Sequence, residues 1–178
     1  MDDAPTPHAV SLEERLARVD SRLAVVDARL AVVDARLAGV DAHEAIRALK
    51  YAYCAACDAG YDPESLVSMF TEDAVFDPGP PFGRCEGRDA IRYVFSRASS
   101  FVRRSAHLVA NAYIELAPDG RSAVGEWLLI HPHQRAGDGV GSSLSVCRYS
   151  DVYRLVEGKW MFAEVHVQEI MNAPLTPG

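Results

Sequence analysis

Asp58, His107 and His133 are ionisable side chains set in an otherwise apolar framework. Asp58 closes an apolar helical run, His107 opens a strand-like stretch, and His133 sits on the next such stretch. A histidine exchanges a proton near neutral pH, and a carboxylate on its other ring nitrogen fixes the tautomer and raises its basicity. An Asp–His pair with a second donor suffices to abstract a proton next to a carbonyl or a leaving group, so neither a metal nor another cofactor is expected. Strand alternation places His107, Val109 and Asn111 on one face, and Trp127, Leu129, His131 and His133 on one face of the neighbouring strand. Each residue also has a plainer reading. A strand histidine is more often a surface or core hydrogen-bonding group, Asp58 can simply end its helix, and Trp127 and Trp160 read as core. His8 and His43 fall in a tail and in the N-terminal helix and are expected in solvent.

The elements that must position these residues are legible in the periodicity. Ile46, Leu49, Tyr53 and Ala56 make one helical face that ends near Asp58-Ala59-Gly60. Asp62-Pro63-Glu64 starts a second short helix through Leu66, Val67 and Phe70. Ala74-Val75-Phe76 reads as a strand, stopped by a Pro- and Gly-rich loop over 77–83, and a third helix runs from about Arg88 to Phe101. Four strands follow, His107 to Leu116, Ser122 to His133, Leu144 to Val156 and Trp160 to Ile170. Their turns fall at Pro118-Asp119-Gly120, Gly137-Asp138-Gly139 and Glu157-Gly158-Lys159. Helices first and a meander afterwards is an α+β layout, a curved antiparallel sheet packed on helices with a hollow between them for a small apolar ligand.

Before this domain a seven-residue repeat runs from Val19 and fades at Val40. Leu16, Leu23, Leu30 and Leu37 fall at position a; Leu12, Val19, Val26, Val33 and Val40 fall at d. Arg15, Arg22, Arg29 and Arg36 occupy g, and Asp20, Asp27, Asp34 and Asp41 occupy e, the pairing that joins parallel neighbours. Leu at a with Val at d, and Val25 and Val32 at c, favour three chains around one axis over two or four. Ser11 and Glu14 form the capping box that starts the helix. The expected division is a flexible tail over 1–10, a coiled-coil oligomerisation helix over 11–42, a pocket domain over 43–172 and a tail over 173–178.

Composition narrows the partners. A formal charge of −7 without a basic stripe disfavours nucleic acid, and no apolar run approaches membrane-spanning length. Met1-Asp2-Asp3 lacks the layout of a signal peptide, so a cytoplasmic location is expected. Cys54 and Cys57 form a C-x-x-C inside a helix, and Cys85 and Cys147 are isolated. Buried free thiols are favoured over a metal site or a disulfide.

The stretch from Ala45 to about Gln168 resembles the SnoaL-like, scytalone-dehydratase-like branch of the nuclear-transport-factor-2-like superfamily. The resemblance is carried by Ile46-Arg47-Ala48-Leu49 before Tyr53 and Asp58, by Met69-Phe70-Thr71-Glu72-Asp73-Ala74-Val75-Phe76, and by the His107 strand. It continues in Pro132-His133-Gln134-Arg135 and in the run from Val152 to Phe162. It implies a cone-shaped, cystatin-like α+β barrel, a catalytic Asp58–His107 dyad, and His133 as a second acid–base group. Tyr53 is implied as a phenolic donor, and Tyr53, Trp127, Leu129, His131 and Tyr149 form the expected substrate-binding set. Pro78 stands where scytalone dehydratase has a substrate-polarising tyrosine, which leaves Tyr61 or Tyr149 to supply that contact. Cys147 and Tyr149 replace a polar pair, so scytalone is disfavoured as the substrate. Relatives in this branch are often trimers.

The expected function is a cofactor-independent lyase or isomerase, of dehydratase or cyclase type, acting on a small apolar polyketide- or terpenoid-derived molecule. The alternative is a non-catalytic ligand-binding or scaffolding module oligomerised by its coil. An epoxide-opening hydrolase would need a further carboxylate, Glu126 or Asp151, and Glu126 has the wrong strand parity.

Overall fold

A computed structural model describes residues 11–136 and 141–175. The expected 1–10 tail with His8, the turn at Gly137-Asp138-Gly139 and residues 176–178 lie outside the described residues.

Helix α1 covers Leu12–Asp58. Its start is the capping box expected from Ser11 and Glu14: the Ser11 amide donates to Glu14 Oε2 at 2.9 Å, and the Glu14 amide to Ser11 Oγ at 3.2 Å. Contacts divide the chain between Val40 and Asp41. In the first unit, the a and d side chains from Leu16 to Val40 are all about half exposed.

In the second unit, α1 buries Ile46, Lys50, Tyr53, Cys54 and Cys57, one helical face. Lys50 lies among the apolar positions, its charge met by Asp151. His43, expected in solvent, is half-buried, and its Nε2 lies 3.3 Å from the Ile114 carbonyl. Helix α2, Pro63–Val67, is capped by Asp62, whose Oδ2 accepts from the Ser65 amide at 2.8 Å. It stops before Phe70, which was expected to extend it. Phe70 instead opens β1, Phe70–Asp77, and is fully buried. A register shift between Phe70 and Val75 breaks the strand's period-two pattern, which leaves only Ala74–Phe76 readable from sequence.

Strand β2, Cys85–Glu86, precedes α3, Arg88–Ala98, which buries Ile91, Val94 and Phe95. Strands β3 (Val102–Ser105), β4 (Leu108–Leu116), β5 (Ser122–Arg135), β6 (Ser142–Val156) and β7 (Lys159–Leu175) complete the sheet. The order is β2-β1-β7-β6-β5, with β3 and β4 pairing successive stretches of β5. Among the described residues, only the β1–β7 pairing is parallel. The sheet curls into a half-barrel against the helices, and its concave face contributes Ala123, Trp127, Leu129, Cys147, Tyr149, Tyr153, Phe162 and Val165 to the core.

Candidate active site

The break between β3 and β4 falls at Ala106-His107. There the His107 amide leaves the sheet and donates to Asp58 at the end of α1, at 2.9 Å to Oδ2 and 3.1 Å to Oδ1. The His107 ring makes the shorter contact, with Nδ1 2.6 Å from Asp58 Oδ1, and Ser105 Oγ donates to the same oxygen at 3.2 Å. Since an ionised carboxylate only accepts, this contact places the ring proton on Nδ1 and leaves the Nε2 lone pair free. Burial lowers the His107 pKa below the ordinary 6.5, against the opposing pull of Asp58, so the ring is neutral near pH 7.

His107 lines a cavity of about 470 Å³ between the sheet, α1, α3 and the loop after β1. Of the expected substrate-binding residues, Tyr53, Leu129, His131 and Tyr149 line it with His107 and His133. Trp127 does not. It shares the parity of Leu129 but lies in the core outside the cavity lining, and its indole N–H donates to Tyr153 Oη at 2.9 Å.

The three cavity histidines form a row. His131 stands between the other two, with ring centroids 4.4 Å from His107 and 4.6 Å from His133. Burial, reinforced by the two neighbouring imidazoles, pushes the His131 pKa down to about 3. His131 is therefore neutral, and its buried Nε2 has no hydrogen-bond partner among the described residues. His133 Nδ1 donates to the His131 carbonyl at 3.1 Å.

Tyr61 packs edge-on to His107, with centroids 6.1 Å apart, and lines the cavity as Pro78 does. Tyr149, the other tyrosine offered in place of Pro78, lines it too. Burial raises the pKa of Tyr53, Tyr61 and Tyr149 well above 10, so all three remain hydrogen-bond donors.

Sequence reasoning missed Lys50. Its ammonium is fully buried, 2.8 Å from Asp151 Oδ2 and 3.3 Å from the centroid of the Tyr149 ring. Asp151 Oδ2 also accepts from Tyr153 Oη at 2.7 Å. Asp151 is thus a buried counter-ion outside the cavity lining, and Glu126 is exposed, so neither carboxylate serves an epoxide-opening reaction there. Asp151 lies on the core parity of β6, and that was the available signal: a buried carboxylate requires a cation. Among the described residues, no group of three or more His, Cys, Asp or Glu side chains is arranged to hold a metal ion.

The curled sheet with helices in its hollow defines the nuclear-transport-factor-2-like, cystatin-like class of α+β domain. Within that class the chain belongs to the SnoaL-like domain family, whose model matches residues 38–166. Solved structures share the fold at low identity. A protein described as a scytalone dehydratase from Novosphingobium aromaticivorans is 22% identical with a TM-score of 0.70, covering 79% of this chain and 92% of that one. Hexachlorocyclohexane dehydrochlorinase LinA-type3 from Novosphingobium barchaimii is 17% identical with a TM-score of 0.71, covering 80% and 95%. A nuclear-transport-factor-2-like protein with a cystatin-like fold from Novosphingobium aromaticivorans is 22% identical with a TM-score of 0.60, covering 78% and 88%. No curated protein matches the sequence. Among the described residues, no helix is long and apolar enough to cross a membrane.

Proposed function

We propose that the chain is a cofactor-independent lyase or isomerase of dehydratase or cyclase type, with Asp58 and His107 as its proton-abstracting pair. The 2.6 Å contact behind the cavity wall carries this reading, because it turns a neutral imidazole into an oriented base. His107 Nε2 takes a carbon-bound proton next to a carbonyl, and the C–H electron pair becomes the new double bond. In elimination the neighbouring hydroxyl takes a proton from His133 or from the Tyr53 phenol and departs as water. In isomerisation or cyclisation the proton returns to another atom of the same ligand. The phenols of Tyr53 and Tyr61 donate to the oxyanion that develops at the carbonyl.

The size of the cavity and its walls of Phe76, Phe95, Phe101, Leu129 and Val167 suit a small, largely apolar ring compound of polyketide or terpenoid type. Family membership and the dehydratase and dehydrochlorinase neighbours support the reaction class. The free thiols of Cys54, Cys57, Cys85 and Cys147 fit a reducing, cytoplasmic setting, and a polyketide- or terpenoid-type ligand would give the chain a place in secondary metabolism.

The test is turnover of a small β-hydroxy carbonyl panel. Replacing His107 by Ala or Asp58 by Asn is expected to cost roughly 10²–10⁴-fold in kcat with circular dichroism unchanged. Full activity in either variant would sink the pairing.

The N-terminal helix fits a parallel homotrimeric coiled coil built with two further copies of this chain. The exposed Leu and Val stripe supplies the seam, and Arg at g faces Asp at e of the next copy.

A further inference from the structure

Beside His131, the cavity has a second polar wall on β6 and β7 that the proposed reaction does not use. Glu169, Asn172 and Ser145 all line the cavity. Glu169 and Asn172 are three residues apart and would face opposite ways on a regular strand. A register shift pairs Cys147 with Glu169 and Ser145 with Asn172, which leaves Ile170 as the extra residue, so both side chains turn to the same face.

The hydrogen bonds of this trio all point inward. Asn172 Nδ2 donates to Ser145 Oγ at 2.9 Å and to Glu169 Oε2 at 3.1 Å, and Ser145 Oγ donates to Glu169 Oε2 at 3.2 Å. Every hydrogen the two donors possess is engaged, so only acceptors are left to meet a ligand. Among the described residues, Glu169 has no Lys or Arg partner, and its Oε1 accepts no hydrogen bond. Ser145 also pairs with His131, so the orphaned His131 Nε2 lies in the same cross-strand row, roughly 10 Å from Asn172 across two strand spacings. A buried nitrogen without a partner marks a group that a ligand is suited to satisfy.

We propose that Glu169, braced by Ser145 and Asn172, receives a hydroxyl group of the ligand, so that the cavity takes uncharged hydroxylated ring compounds and turns away carboxylates. This names the substrate class of the site proposed above and rests on that reading. A carboxylate brings no hydrogen to the acceptor wall and adds a like charge. An ammonium also brings hydrogens to this wall, so the amine is the competing probe in the test. Arg135, which also lines the cavity, is held constant in the test.

The experiment is calorimetric titration of the full chain with 2-naphthol, 2-naphthoate and 2-naphthylmethylamine at pH 7.5 or thereabouts. The wild type is expected to bind 2-naphthol at least about tenfold tighter than either charged probe, a difference of about 1.4 kcal/mol. Glu169→Leu is expected to weaken 2-naphthol about tenfold and to narrow its advantage over 2-naphthoate, with the melting temperature held because Glu169 is exposed. His107→Ala is expected to keep the wild-type preference while losing turnover, which separates this proposal from the catalytic one. An unchanged preference in Glu169→Leu, no binding of 2-naphthol to the wild type, or tighter binding of the amine overturns it.

Discussion

His107 and His131 are both held neutral, and the consequences for pH follow from the direction of their shifts. The His107 pKa lies below 6.5 because burial outweighs Asp58. The acidic limb of a kcat/KM profile is therefore expected below pH 6.5, and a limb at or above that value would remove His107 as the base. His131 has its pKa lowered to about 3 in the folded chain, so the unfolded chain binds more protons between about pH 6.5 and pH 3. Stability is then fully present above pH 6.5 and is lost as pH falls toward 3. Urea midpoints for His131→Phe should fall less steeply over that window than those of the wild type. Lys50 presents the opposite case, a cation sealed against Asp151. Lys50→Met leaves a buried carboxylate unpaired and is expected to cost about 3–5 kcal/mol in urea unfolding. Lys50→Met with Asp151→Asn is expected to recover part of that loss. The candidate histidines were legible because strand parity needs no partner to be read. The Lys50–Asp151 pair was not, because its members are far apart in sequence and neither carries a local motif.

Among the elements, β5 and β6 hold the cavity floor, and one glycine sets how closely they pack. A Cβ added at Gly125 would lie 2.9 Å from Tyr153 Cε2, with Trp127 Nε1 and Tyr153 Oη at 3.4 Å. Gly125→Ala is therefore expected to destabilise the domain by about 1–3 kcal/mol, read as a lower melting temperature, through overpacking of the Trp127–Tyr153 pair. The long strands β5, β6 and β7 and the helices α1 and α3 were legible from their periods. Strands β2 and β3 were not, because two and four residues are too short to show alternation. Helix α3 ends at Ala98 instead of near Phe101, whose ring turns back onto Phe82 at 5.3 Å. The shared face of Glu169 and Asn172 was hidden for a different reason: a bulge changes parity without any signature in composition.

For the whole molecule, the exposed heptad stripe gives the clearest expectation. Side chains such as Leu23 and Leu30, each 54% exposed, belong to a continuous apolar strip along the first unit. Sedimentation equilibrium of the full chain is expected to give three copies, and Leu23→Asp with Leu30→Asp to lower that number while near-ultraviolet circular dichroism of the pocket domain is retained. An unchanged mass in the double variant would remove the coil as the assembling element. The repeat itself was legible because seven-residue periodicity and g–e charge spacing survive without any tertiary information.

Asp58 grips the main chain of His107 as well as its ring, and a peptide N–H has no rotamer to change. The orientation of the carboxylate is thus settled once, when α1 meets the edge of the sheet. A molecule entering the hollow finds the imidazole already aimed, and the cost of ordering that pair falls on folding, not on each encounter.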